Sequence, residues 1–172
     1  MSATILDPDA FAKSLGIPEE DYAVIKMTSP FPVQNRPIFQ STVGSMSASQ
    51  ISYSLPKLKQ AVEAILEEHK GQKGIIHCHT YKIANYLKYN IKSKKFAKRI
   101  LTHDSTNREA VLDKHMKSKE DTVLLSPSMT EGVDLKGDLS KFQIICKVPY
   151  PYLGDPIIKK RMNKNKGWYA LQ

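Results

Sequence analysis

Gly74-Ile75-Ile76-His77-Cys78-His79-Thr80 is an apolar run that ends on a hydroxyl residue. Tyr81 to Ile91 follows it, with Ile83, Ala84, Leu87 and Ile91 on one side. The first stretch has the length and apolar content of a buried strand. The second has helical spacing, and Thr80 stands where a side chain caps the first turn. The same pairing repeats downstream. Arg99-Ile100-Leu101-Thr102 reads as a second strand, and Thr106 with Glu109 forms a capping box for a helix carrying Val111, Leu112 and Met116. Thr122 to Leu125 and Phe142 to Val148 read as a third and a fourth strand. Upstream, Leu58, Ala61, Val62, Ile65 and Leu66 recur at helical spacing, with Gly71 and Gly74 closing that helix. Strands alternating with helices predict an α/β fold of three layers, a mainly parallel sheet flanked by helices on both faces. Ligand chemistry in such sheets gathers at the C-terminal ends of the strands. The turns after His79, Thr102, Leu125 and Val148 are therefore the places to inspect.

Toward the N-terminus the pattern loosens. Asp7 with Pro8 predicts a helix start, Phe11 and Leu15 share a face, and Gly16 supplies a stop. Tyr22 to Met27 (YAVIKM) reads as a short buried strand ended by Ser29-Pro30-Phe31-Pro32. Residues 41–54, rich in serine, read as loop or weak strand. The whole chain, 172 residues, is read as one domain, 1–172.

The net charge is +9, and two basic runs contain no acid: Lys82, Lys88, Lys92, Lys94, Lys95, Lys98 and Arg99, then Lys159, Lys160, Arg161, Lys164 and Lys166. Such blocks suit a polyanion, because neutralising phosphates releases counterions, although a solvated basic face has the same composition. No apolar run has the roughly 18 residues of a membrane span, and no membrane partner is expected. Two cysteines, Cys78 and Cys146, are too few for a disulfide framework. An intracellular, cytoplasmic setting is the expectation, nuclear if the source is eukaryotic. No metal site is expected either. On a strand His77 and His79 face one side and Cys78 the other, so a ligand set does not converge there. Tyr150, Tyr152, Trp168 and Tyr169 are candidates for base stacking, a role that aromatics fill less often than core packing.

The stretch richest in chemistry is Leu125-Ser126-Pro127-Ser128-Met129-Thr130-Glu131-Gly132-Val133-Asp134-Leu135. Small hydroxyl residues, a glycine and two acids between strands suit a polar ligand. Hydroxyls and backbone N–H groups hold phosphates, and an aspartate accepts hydrogen bonds from ribose hydroxyls. An ordinary connecting loop with a capping hydroxyl has the same make-up.

Thr130-Glu131-Gly132-Val133-Asp134-Leu135, then Val148-Pro149-Tyr150-Pro151 and Asp155-Pro156, resembles motif V and its downstream segment in superfamily 2 DNA helicases of the XPD/DinG type. Gly74 to Tyr81 resembles motif IV of that family. Ser2-Ala3-Thr4 resembles motif III, and Ser29 to Pro32 with Asn35-Arg36 resembles the lead-in to the second motor domain, so that residues 1–40 hold motif III and this lead-in. The resemblance implies a RecA-like, P-loop-NTPase-like second motor domain without the P-loop. It implies that Gly132 and Asp134 bind nucleotide, Asp134 through the ATP ribose. Ser2, Thr4, Ser128, Thr130 and Glu131 would couple nucleotide to strand movement, and Thr80, Tyr81 and Lys82 would contact the DNA backbone. The implied partners are single-stranded DNA and the first RecA-like domain of the same parent chain, with ATP and Mg²⁺ bound in the intact parent, 5′-to-3′ polarity and a role in DNA repair.

No G-x-x-x-x-G-K-[ST] cradle for phosphates occurs, nor a D-E-A-H-type acidic pair for the metal. The family's Q-x-x-G-R-x-x-R motif is also absent, although its arginine belongs to the catalytic set. The expectation is a monomeric fragment with no complete catalytic set and no ATPase activity of its own. The alternative from the residues alone is a stand-alone nucleic-acid-binding or protein-interaction module.

Overall fold

The computed structural model of the chain describes residues 7–129 and 133–164. The chain divides into two compact units, Ser41–Pro149 and a second formed by Met1–Gln40 with Tyr150–Gln172. The larger unit is an α/β, RecA-like layer structure. Helix α2 (Ile51–Glu68), strand β1 (Gly74–His77), helix α3 (Tyr81–Asn90), the single turn α4 (Lys94–Ala97), strand β2 (Ile100–Thr102), helix α5 (Arg108–Lys117), strand β3 (Val123–Ser126) and strand β4 (Phe142–Ile145) follow in order.

The four strands form one sheet in the order β2-β3-β1-β4, every neighbouring pair parallel. A parallel sheet needs both faces covered, and this one divides its apolar residues accordingly. Ile76, Cys78, Val123, Leu125, Phe142 and Ile144 pack under Leu58, Val62 and Leu66 of α2 and Ile83 and Leu87 of α3. On the opposite face Ile75, Leu124 and Met129 pack with Val111 and Leu112 of α5, and with Val133 and Leu135 from the loop after β3. Leu66, Leu87 and Leu125 are fully buried, each worth about 1.5–3 kcal/mol of transfer free energy. The mainly parallel sheet and the helices of the expected fold are thus present.

Gly74 marks a close approach. A Cβ placed there would lie 2.5 Å from the Phe142 ring, which stacks on His69 with centroids 4.4 Å apart. Gly74→Ala is expected to push the ring out of this stack and lower stability by about 1–3 kcal/mol, measured as a shift of the urea midpoint. An unchanged midpoint would show that the ring moves freely.

Several sequence expectations need correction. Tyr22–Met27 forms no strand, and Val24, Ile25 and Met27 lie exposed. Apolar alternation supplies a face but not a partner for the backbone, and no strand among the described residues pairs with it. Residues 51–54 are not loop but the first turn of α2, with Ile51 and Ser54 buried. Gly71, at φ 78, follows that helix, whereas Gly74 opens β1. The Thr106–Glu109 capping box does not form. The Thr106 hydroxyl instead donates to Asp104 Oδ1 at 2.7 Å, and α5 begins at Arg108. Asp104 competes successfully because its carboxylate collects the N–H groups of both Thr106 and Asn107.

In the smaller unit α1 (Pro8–Leu15) starts as expected, with Asp7 Oδ1 accepting from the Ala10 N–H at 2.9 Å. Gly16 ends it at φ 72. The Tyr22 hydroxyl donates to Asp9 at 2.7 Å, and that bond with the carboxylate pushes the phenol pKa up to about 12. Helix α6 (Pro156–Lys164) is capped by Asp155, whose Oδ1 accepts from the N–H groups of Ile157 and Ile158.

Candidate functional site

The loops at the C-terminal ends of the strands carry the polar side chains that parallel-sheet topology singles out. After β1, Cys78 turns into the core and its N–H donates to the Ser126 carbonyl at 2.8 Å. His79 sits in the left-handed region at φ 58, which swings the chain into α3. Thr80 caps that helix, its Oγ1 accepting the Ile83 N–H at 3.3 Å. Tyr81 and Lys82 follow, both exposed.

After β2, His103 is buried and Asp104 ties the loop. Its Oδ1 accepts from Thr106 and Asn107, and its own N–H donates to Asn107 Oδ1 at 2.9 Å. These bonds, that of the Thr106 side chain first, hold the Asp104 carboxyl below its ordinary pKa. Between this loop and α3 lies a cavity of about 280 Å³ lined by Tyr81, Asn85, Lys88, Thr102, His103 and Asn107 among others. It offers a cation, two amides, a hydroxyl and an aromatic ring in one place.

After β3, Ser126 Oγ accepts from the N–H groups of Ser128 at 3.2 Å and Met129 at 2.8 Å, folding the first turn of the loop. Ser128 points outward, and Met129 is buried. Asp134 emerges on the surface, its carboxylate 3.2 Å from Lys136 Nζ, between Val133 and Leu135, which pack inward. The aspartate is thus held by two apolar anchors and presented to solvent.

Of the predicted residues, Thr80, Tyr81 and Lys82 lie together at the start of α3, and Tyr81 lines the cavity. Ser128 and Asp134 lie on the loop after β3 and do not line it. Ser2, Thr4, Thr130, Glu131 and Gly132 lie outside the described residues, as do Trp168 and Tyr169. Arg99 is a correction to the basic run. It is only 4% exposed, and its guanidinium is spent on Asp121 and on the carbonyls of Leu66, His69 and Gln72. Lys95 pairs with Glu67 at 2.7 Å. Sequence reasoning marked the turn after Thr102 and placed Lys88 in a basic run, but named none of Asn85, His103 and Asn107. Asn85 and Lys88 follow Tyr81 at i+4 and i+7, a helical signal that was present to be read.

His77 and His79 are held below their ordinary pKa, chiefly by desolvation, with the charge of Lys147 adding to the effect at His79. Among the described residues no group of three or more His, Cys, Asp or Glu is placed to hold a metal ion.

Comparison with known proteins adds the family. The model of the helicase C-terminal domain matches residues 62–170. The ATP-dependent DNA helicase YoaA of Haemophilus influenzae is 26% identical over 109 residues, 63% of this chain and 17% of that protein. The matched part therefore spans about a sixth of that helicase. The family match over residues 62–170 runs through α3, the cavity and the loop after β3, the elements on which the motif IV and motif V resemblances rest. The chain belongs to the helicase C-terminal domain family and is a helicase motor domain.

Proposed function

We propose that the C-terminal edge of this sheet forms one wall of a single-stranded DNA path and part of an ATP cleft, in a DinG/XPD-like DNA helicase. The observation that carries the reading is the cavity beside α3. Lys88 can neutralise a phosphate, Asn85 and Asn107 can bond sugar or base, and Tyr81 stands 48% exposed as a stacking surface. Thr80, Tyr81 and Lys82 supply the backbone contacts. Lys92, Lys94 and Lys98 are exposed too, but they lie between the end of α3 and the start of β2, toward the other edge of the sheet. Asp134 would receive the ATP ribose and Gly132 would let the backbone approach the nucleotide, while Ser2, Thr4, Ser128, Thr130 and Glu131 would link nucleotide to strand.

Hydrolysis needs groups these residues do not include: a phosphate-cradling loop with its lysine, and an acidic pair for Mg²⁺. A first RecA-like domain would supply them, and ATP would close the two domains around the strand. The 172-residue chain by itself should then turn over no ATP.

The chain is expected to bind fluorescein-labelled dT20 at low salt and to lose affinity steadily as salt rises. Lys88→Ala should weaken binding several-fold and flatten the log–log salt slope by about 0.7, the share of one phosphate contact on a single strand. Undetectable binding in low salt would sink the reading. Equal competition by a polyglutamate chain would favour the protein-interaction alternative.

A further inference from the structure

One buried hydroxyl has its hydrogen-bonding capacity filled from three directions. Ser126 Oγ accepts the Ser128 and Met129 N–H groups and also lies 2.7 Å from His103 Nε2. A hydroxyl has two lone pairs and one proton. With both lone pairs given to loop amides, its proton has one destination, Nε2. On the other side of the ring, His103 Nδ1 lies 3.0 Å from the Asp104 carbonyl oxygen, which can only accept. Nδ1 therefore carries the ring proton and Nε2 is the acceptor. Geometry thus assigns the tautomer of a neutral imidazole.

The chain of bonds runs Asp104 C=O, His103, Ser126, then the amides that begin the loop after β3. Ser126 is 1% exposed and His103 8%. Removing one member leaves the next unpaired where water cannot easily replace it. His103 also lines the cavity beside Tyr81 and Lys88. One ring thus touches the proposed strand pocket and the support of the loop that presents Ser128 and Asp134.

We propose that His103 is a positioning residue. Acting through Ser126, it fixes the loop after β3 and transmits occupancy of the cavity to that loop. The inference rests on the reading of the cavity as part of a strand path.

The test uses the chain itself with paired variants. His103→Leu fills the space without an acceptor, whereas His103→Gln places an amide oxygen near the Nε2 position. Ser126→Ala removes the hydroxyl, and Ser126→Thr keeps it. Amide exchange at Ser128 and Met129 is read by NMR against Ile76 and Leu124 as core references, and dT20 affinity by fluorescence anisotropy. His103→Leu and Ser126→Ala should each speed exchange at the two loop amides about tenfold, leave the core references unchanged and weaken dT20 binding several-fold. Combining them should add little to either alone, while His103→Gln and Ser126→Thr should recover most of the loss. Unchanged loop exchange in His103→Leu would overturn the proposal. So would faster exchange with unaltered dT20 affinity, which would confine the network to the loop's own stability. If the wild-type chain binds no dT20, the strand-path reading fails and takes this inference with it. If it binds and the variants bind equally well, only the positioning role fails.

Discussion

Replacing Arg99 with alanine is expected to lower the unfolding free energy by about 3–5 kcal/mol, the cost of breaking a buried, hydrogen-bonded ion pair. The guanidinium meets Asp121 through Nε, bonding its carbonyl at 3.0 Å and its carboxylate at 2.8 Å. Nη1 donates to the Leu66 carbonyl at 2.8 Å, and Nη2 to those of His69 at 3.0 Å and Gln72 at 2.9 Å. These oxygens terminate α2 and its following turn, where helix carbonyls lack internal partners and carry the negative end of the dipole. One planar cation thus finishes a helix and ties it to Asp121, two residues before β3. Removing it takes the donor from three carbonyls of α2 and its following turn and the cation from the partly exposed Asp121 carboxylate. With a urea m-value of about 2 kcal/mol/M, the midpoint should fall by about 2 M. Arg99→Lys should recover only part of this, since one ammonium cannot reproduce a planar fork. A midpoint for Arg99→Ala within the error of wild type would remove the argument.

His115 gives the second large effect. The ring is fully buried, with Nδ1 2.8 Å from Thr122 Oγ1 and Nε2 2.8 Å from the Leu139 carbonyl. The carbonyl must accept, so Nε2 carries the proton and Nδ1 receives the threonine hydroxyl. His115→Ala strands both partners and should cost about 2–4 kcal/mol. Its native pKa is lowered, by burial first and then by the nearby Lys73 charge, against the opposing bond to Leu139. In the unfolded chain the imidazole takes up a proton near about 6.5, while the native ring resists until lower pH. Between those points the unfolded state binds more protons, so stability is complete above about 6.5 and is lost as pH falls. His77 and His79, also lowered, act in the same direction. Urea midpoints from pH 7.5 to pH 5 should decline, and less steeply in His115→Gln. Identical slopes in the two proteins would assign the acid sensitivity elsewhere.

Both residues serve the N-terminal side of the sheet, while the candidate site occupies the other end. That division explains what could be read in advance. The strand and helix stripes of residues 74–91 were legible because periodicity is local. The site's neighbourhood was legible because parallel topology assigns it. Arg99 was misread because a basic residue beside six lysines looks solvated until a helix end 30 residues away is folded against it. Thr106 was misread because Asp104, two residues earlier, offers a stronger acceptor. The His103–Ser126 bond spans 23 residues and depends on β2 lying beside β3, which no local pattern states. Tyr22–Met27 had the composition of a strand and no partner.

The strand order also sets a timetable for synthesis. β1 is an inner strand, yet both of its neighbours, β3 and β4, are made later than it is. Residues 74–77 must wait until residues 123–126 leave the ribosome before any of their ladder bonds can close. Until then α2, β1 and α3 expose the apolar surface that the finished sheet hides. Long-range pairing of this kind slows folding and leaves a nascent chain open to aggregation. The segment from α2 through α3 is therefore the stretch a chaperone would have most reason to hold.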